Sequence, residues 1–372
     1  MDNGDDMKII FPDYEKSLIN VTNSILKYFD VETIHNTMAI LDEELEKGKY
    51  QNVLMILYDG MGYHLLRRNL DRNMFLNRHL KVSISAPFPP TTTASTTSVL
   101  SGLTPKEHGW LGWNLYFKEL GETVTLFLNI KKDTDIMISE ENVASKYYPY
   151  TNIIEKINQT YKAYSIMPFG NDAFHSLEEM NEKIKKYCKE DGKKFIYAYC
   201  DYLDAMMHQF GTDSKRTRME FQKINDSTKK LCDSLENTLV IVVADHGHLN
   251  CDSITLSEYP DIFSLLDHDI SIEGRACAFF IKEGKQKHFE TLFHQYFCEY
   301  FKLYTKEEII ESNIFGIGKE HPRFQETLGD YVAIAISNKY FRYNENSDNY
   351  LSMHAGLTED EMVVPLILYK AK

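Results

Sequence analysis

Short, unbroken apolar runs punctuate the chain at 53–58, 195–200, 239–244 and 363–368. A half-exposed strand would alternate apolar and polar positions. Continuous apolar character instead predicts strands of a parallel sheet covered on both faces. Between these runs, hydrophobic residues recur at helical spacing. Met219, Phe221, Ile224, Leu231 and Leu235 predict the buried face of a helix that leads into the strand at 239. Strands alternating with helices imply an α/β fold: a doubly wound, mostly parallel sheet with helices on both faces.

The pattern changes between about 272 and 343. A strand is expected at 276–281, helices near 288–301 and 306–312, and a strand at 330–336. This stretch reads as a small α+β subdomain inserted before the last core strand of a single domain spanning 1–372. No internal repeat or low-complexity tract interrupts it. Hydrophobic residues make up 43% of the chain, with 24 Tyr and 21 Phe, so a large and ring-rich core is expected. The net charge of −14 disfavours a nucleic acid duplex as partner, since binding one rests on Lys and Arg. A phosphate-bearing substrate would need local positive charge, which metal ions can supply. The six cysteines form no C-x-x-C pair and read as reduced, buried thiols. The acidic start, Met1 to Asp6, lacks the basic region of a signal peptide, and no apolar run is long enough to span a bilayer. The expectation is a soluble, cytoplasmic protein that takes no part in a membrane.

Each apolar run delivers chemistry at its end. Asp59 follows the first run; Asp201, Asp204 and His208 follow the second. Asp245, His246 and Gly247 follow the third, and His354 precedes the last. Functional groups of open α/β sheets gather beyond the carboxyl ends of the strands. Three carboxylates brought together there would repel and resist ionisation. Divalent cations remove that cost and take neutral imidazoles as further ligands. Mixed Asp and His donors suit Zn²⁺, with Mn²⁺ or Fe²⁺ as alternatives. The Asp204-x-x-x-His208 spacing places both side chains on one face of a helix. A single Asp at a strand end is ordinarily a cap or turn residue, and isolated histidines such as His108, His288 and His294 are ordinarily surface or core. Caps do not account for four such segments together.

A nucleophile is expected in Phe88-Pro89-Pro90-Thr91-Thr92-Thr93-Ala94-Ser95-Thr96-Thr97-Ser98. The prolines impose an extended entry, and a helix can then run from Thr93 to near Gly102. Hydroxyls at a helix N-terminus face free N–H groups and the positive end of the dipole, where a phosphoryl group would dock. A bound metal can activate a threonine hydroxyl. Most hydroxyls of this run are N-caps or core; one is catalytic. Shortly downstream, Trp110, Trp113, Tyr116 and Phe117 suggest an aromatic wall near the site, with Trp110 the more structural of the two tryptophans.

The ordered set of motifs resembles the alkaline phosphatase superfamily, and within it the nucleotide pyrophosphatase/phosphodiesterase (type I phosphodiesterase) family. The matching pieces are Ile56-Leu57-Tyr58-Asp59-Gly60, Phe88-Pro89-Pro90-Thr91-Thr92 and the Ser101 to Gly109 segment. Asp204-Ala205-Met206-Met207-His208, Ala244-Asp245-His246-Gly247 and His354 complete it, in family order and over nearly the whole chain. The resemblance implies two divalent metal ions. One would sit on Asp204, His208 and His354, the other on Asp59, Asp245 and His246. Thr92 would be the nucleophile, with Thr91 the neighbouring alternative. Family members often carry an aromatic residue just after the nucleophile, where Thr93 stands here. They place a phosphate-facing Asn where Trp113 falls, with Asn114 one residue later. Trp113 and Asn114 are therefore the candidate substrate-binding residues. The implied activity is hydrolysis of a phosphodiester or pyrophosphate bond in a small phosphate ester such as a nucleotide. The alternatives on the same site are a phosphomonoesterase, a phosphonate hydrolase or a sulfatase, although the sulfatase C/S-x-P-x-R motif is absent. A binding protein without turnover is the alternative of a different class.

Overall fold

The strands that build the central layer are those rich in β-branched and aromatic side chains, such as Thr238–Val243, whose sequence is TLVIVV. A computed structural model describes residues 7–170 and 172–371. The acidic start at Met1 to Asp6 lies outside the described residues. Six strands form the central sheet, in the order Leu80–Ser85, Val363–Ala371, Thr238–Val243, Asn52–Tyr58, Lys194–Cys200 and Lys162–Ile166. Asn52–Tyr58 and Thr238–Val243 are wholly buried, with helices packed on both faces. The fold is therefore the expected α/β architecture, with a mostly parallel sheet.

One expected parallel strand runs the other way. Val363–Ala371 is antiparallel to both its neighbours, pairing Leu366 with Val243 and Ala371 with Thr238. The chain reaches this strand through the short helix Glu359–Met362, which lies at the edge where the parallel strands end. It can enter the sheet only from that edge, so it must run back. The helix Lys215–Cys232 is present, and Ser214 Oγ caps it by accepting from the Thr217 N–H at 3.0 Å. Phe221, Ile224 and Leu231 are buried on it, and Leu235 is buried just beyond its end. Met219 is 52% exposed, contrary to expectation. Two residues before Phe221, it lies about 200° around the helix and points to solvent.

A second sheet of seven strands packs beside the first. Its order is Phe301–Thr305, Tyr331–Ala335, Ala276–Phe279, Ser271–Ile272, Asn114–Phe117, Glu122–Thr125 and Ile130–Lys131. The stretch 272–343 contributes strands and the helices Gln286–Phe297 and Lys306–Ser312, and residues 114–131 add three more strands from an earlier part of the chain. Phenylalanines 279, 289, 293, 297 and 341 fill the core beneath it. Of the six free cysteines, four are buried, Cys188 is half-buried and Cys298 is exposed, so two thiols depart from the expected burial. Among the described residues no helix is long and apolar enough to cross a membrane.

A buried ion pair joins the two layers. Arg275, beside the strand Ala276–Phe279, donates to Glu361 through Nε at 2.6 Å and Nη2 at 2.8 Å, and both side chains are fully buried. Glu361 also accepts from the Gly356 N–H at 2.7 Å and the Thr358 hydroxyl at 2.7 Å, while its carbonyl accepts from the Gly247 N–H at 2.8 Å. Gly247 packs so tightly there that a Cβ would lie 1.9 Å from the Asp360 carbonyl oxygen. Removing one member of such a pair strands the other charge. Glu361→Ala is expected to lose about 3–5 kcal/mol of stability, read as the shift in urea midpoint. A loss below about 1 kcal/mol, typical of a surface pair, would show that the clamp is not structural.

Candidate metal centre

The strand ends bring their acids and imidazoles to one edge of the central sheet. The Asp59 N–H donates to Cys200 O at 2.9 Å, which extends the ladder one residue and points the next turn over the edge. Asp59, Asp245 and His246 then converge, each offering a ligand atom within 4.8 Å of the others, all buried. His246 Nε2 lies 3.1 Å from Asp59 Oδ1 and 3.5 Å from Asp245 Oδ2. Asp245 Oδ1 accepts from the N–H groups of Gly60 and His246, both at 3.0 Å. Asp245 Oδ2 is buried with no hydrogen-bond partner.

Asp204, His208, His248 and His354 form a second group on the same criterion. Asp204 and His208 share one face of the helix Tyr202–Phe210, with Asp204 Oδ2 and His208 Nε2 at 3.5 Å. The rings of His246 and His354 stack at 3.8 Å, so the two groups abut. Backbone carbonyls fix the ring tautomers. His208 Nδ1 meets Ser352 O at 2.8 Å, His246 Nδ1 meets Gly247 O at 3.0 Å, and His354 Nδ1 meets Pro90 O at 3.2 Å. Each Nδ1 can therefore donate outward, which turns Nε2 toward the site, the arrangement found behind metal-bound histidines. Asp201 belongs to neither group.

Without cations this edge is electrostatically frustrated. Burial, together with the Asp59 carboxylate, holds the Asp245 carboxyl well above its ordinary range. Burial opposes protonation of His246, yet Asp245 and Asp59 outweigh it and push the imidazole up to about 10. His354 is held well below its ordinary value by burial and by His246 and His248. Burial disfavours the Asp204 carboxylate, but His208, His248 and His354 hold its pKa well below the usual value. Orphaned Asp245 Oδ2, convergent carboxylates and inward-facing Nε2 atoms make a donor set that fits a pair of divalent cations.

Thr92 begins the helix Thr92–Ser101, one residue earlier than expected, and Gly102 ends it at φ 76°. Its buried hydroxyl lies 3.3 Å from Asp59 Oδ2 and 3.2 Å from His246 Nε2. Thr91 is turned away, and its hydroxyl donates to Glu273 at 2.5 Å. A cleft of about 430 Å³ opens beside the site, lined by Trp113, Asn114, Glu273, Tyr350 and Met353 among others. Asn114 Oδ1 accepts from the Thr125 hydroxyl at 2.7 Å.

The expected aromatic wall reduces to one of its members. Trp113 lines the cleft. Trp110 is buried and donates Nε1–H to Tyr148 O at 2.8 Å. Phe117 is buried in the second core, and Tyr116 stacks on His268 at 3.6 Å. Tyr116 and Phe117 are neighbours on the strand Asn114–Phe117, so they face opposite sides and cannot share a wall. Strand-end reasoning also passes over two residues of the site. His248 Nε2 contacts Asp204 Oδ1 at 2.5 Å, and the signal available for it was a second imidazole two residues after His246. Glu273 carries no local signal.

With His246 as a candidate ligand, cation binding is expected to displace the proton that Asp245 and Asp59 favour on its ring. Calorimetric titration of metal-free protein at pH 8, in buffers of different ionisation enthalpy, is expected to show proton release, with affinity rising as pH rises toward about 10. Asp245→Ala should lose a cation and Asp201→Ala should not. Uptake without proton release would remove His246 from the ligand set.

The family model for type I phosphodiesterase / nucleotide pyrophosphatase matches residues 53–357. No curated protein sequence matches the chain. Among solved structures, murine ectonucleotide pyrophosphatase/phosphodiesterase 5 superposes with a TM-score of 0.67 at 20% identity, over 86% of this chain and 88% of that one. An inactive variant of that murine protein in complex with AMP gives 0.66 at 20% identity, over 86% and 87%. Phosphonoacetate hydrolase from Sinorhizobium meliloti 1021, in complex with phosphonoformate, gives 0.62 at 14% identity, over 86% and 90%. These likenesses carry the fold, and the family match, across most of the chain and over every strand-end motif, carries the membership: this chain belongs to the type I phosphodiesterase / nucleotide pyrophosphatase family of the alkaline phosphatase superfamily.

Proposed function

We propose that the chain hydrolyses phosphodiester or pyrophosphate bonds of small molecules, with Thr92 as nucleophile and two metal ions as cofactors. The observation that carries this reading is the Thr92 hydroxyl, set at the first residue of a helix and within 3.4 Å of Asp59 and His246. One cation would be held by Asp59, Asp245 and His246, the other by Asp204, His208 and His354. When bound, they would neutralise the carboxylates, lower the pKa of the attacking hydroxyl and stabilise the departing oxygen. The Asp and His donors favour Zn²⁺, with Mn²⁺ or Fe²⁺ as substitutes.

The protein's own contribution is placement. The first-turn N–H groups of the helix Thr92–Ser101 have no intrahelical partner and turn toward a docked phosphoryl group. Thr91 makes no side-chain cap on that helix end. Thr92 Oγ1 attacks phosphorus in line. A bond forms between Oγ1 and phosphorus, the bond to the leaving oxygen breaks, and the hydroxyl proton goes to water. A water molecule then attacks phosphorus, the bond to Oγ1 breaks, and a proton of that water restores the hydroxyl. The stretch 272–343 acts as a small subdomain that walls the cleft, through residues 272–274 and 340–343. Trp113 and Asn114 receive the substrate's organic arm. The AMP complex of the murine relative supports a nucleotide-like ester.

Thr92→Ala is expected to abolish turnover of bis-para-nitrophenyl phosphate while keeping bound metal and melting temperature, whereas Thr91→Ala should be milder. If Thr91 proves essential and Thr92 dispensable, the nucleophile is misassigned by one residue. Trp113→Ala should raise KM for an aryl diester more than for an alkyl one, since stacking on a flat group contributes about 1–3 kcal/mol. Equal effects on both, with a lowered melting temperature, would make Trp113 structural only.

A further inference from the structure

Glu273 is a buried carboxylate beside the nucleophile that neither cation group uses. It sits in the turn between the strands Ser271–Ile272 and Ala276–Phe279, where its N–H donates to Ala276 O at 3.0 Å. Its Oε1 accepts from the Thr91 hydroxyl at 2.5 Å and from the Trp113 N–H at 2.7 Å. Thr91 directly precedes Thr92, and adjacent Cα atoms are about 3.8 Å apart, so this carboxyl borders the reacting centre. Both donors go to Oε1; among the described residues no hydrogen bond reaches Oε2. Burial pushes the acid up to about 7.

Glu273 also lines the cleft that holds Trp113, Asn114 and Met353. A second polar group there awaits a partner. Ser271 Oγ, 2% exposed and lining the same cleft, has no hydrogen-bond partner. The basic side chains of the cleft are engaged elsewhere. Lys132 pairs with Asp269 at 2.7 Å, and Arg342 donates to the carbonyls of Glu345, Ser347 and Asp348. Asp133, Asp135 and Asp348 add further negative charge to the lining. The lining therefore carries more carboxylates than cations: Glu273, Asp133, Asp135 and Asp348 stand against Lys132, which is paired with Asp269, and Arg342, which is held by carbonyls.

We propose that Glu273 is a specificity-determining residue: it reserves the cleft for the neutral, hydrogen-bond-donating organic arm of a phosphodiester and turns away the dianionic end of a phosphomonoester. An arm bearing hydroxyl or N–H donors satisfies Oε2 and Ser271 Oγ. A second ionised phosphate oxygen instead brings like charge against a carboxylate at low dielectric. The inference rests on the hydrolase reading above and names the residue that sets its preference for diesters over monoesters.

The test compares kcat/KM of the metal-loaded protein on methyl para-nitrophenyl phosphate, a monoanionic diester, and on para-nitrophenyl phosphate, a monoester, at about pH 9, where an acid pushed up to about 7 is ionised. Glu273→Gln is expected to shift the ratio toward the monoester by about tenfold or more, while Glu273→Asp, which keeps the charge, preserves the wild-type ratio. If Glu273 only braces Thr91 and Trp113, both substrates lose rate in proportion and the ratio stays put, which overturns the proposal. If Glu273→Gln does not fold, inhibition of the wild-type protein gives the answer. Methyl phenyl phosphate should bind about tenfold more tightly than phenyl phosphate or better, and the reverse order overturns the proposal. A metal-loaded wild-type protein that cleaves neither substrate overturns the hydrolase reading itself, an outcome distinct from an unmoved ratio.

Discussion

The crowding of carboxylates and imidazoles at one edge of the central sheet is the constraint around which this molecule is arranged. Asp59, Asp204 and Asp245 arrive from three different strand ends at one edge of the sheet, and four imidazoles are drawn in around them. In an apolar interior such a gathering is unfavourable unless cations join it. The nitrogen groups gathered there are histidines, and those at 208, 246 and 354 are each held by an outer carbonyl on Nδ1. Their orientation is thus set by the backbone around the site.

The second layer keeps that edge rigid. His354 follows the two-residue strand Ser352–Met353 rather than a strand of the central sheet, so its position is set by whatever holds the loop that begins there. Glu361 does this from two sides, taking the Gly356 N–H with its carboxylate and the Gly247 N–H with its carbonyl. Arg275 of the second sheet neutralises it. One ion pair therefore links the loop of His354, the turn after His246 and the wall of the cleft. The same turn that carries Arg275 carries Glu273, so the frame of the metal centre and the lining of the substrate cleft are set by neighbouring residues.

Strand ends made most of the site readable from the chain. An Asp-His pair cutting off a wholly apolar run is hard to place anywhere but on the functional edge, and the helix at Thr92 follows from proline, hydroxyl and glycine spacing. What escaped did so for identifiable reasons. An apolar run carries no information about its direction, so the reversal of Val363–Ala371 depends on where the chain has just been. The separation of Tyr116 from Phe117 follows from a strand of four residues, too short for its alternation to stand out. Glu273 meets Thr91 across 182 positions and Trp113 across 160, contacts that no local pattern encodes. His248 was hidden by its neighbour, since the pair at 245 and 246 already explained the segment.

Gly247 shows how such a site constrains the history of its sequence. Any side chain there would collide with the Asp360 carbonyl, and the backbone of Gly62 stands against it as well. The third letter of Asp-His-Gly is thus kept by steric exclusion and takes no part in bond making. A change of substrate or of metal, or even a loss of chemistry, would leave that steric requirement in place for as long as the two layers stayed packed. The glycine reports on architecture, and the side chains around it report on activity.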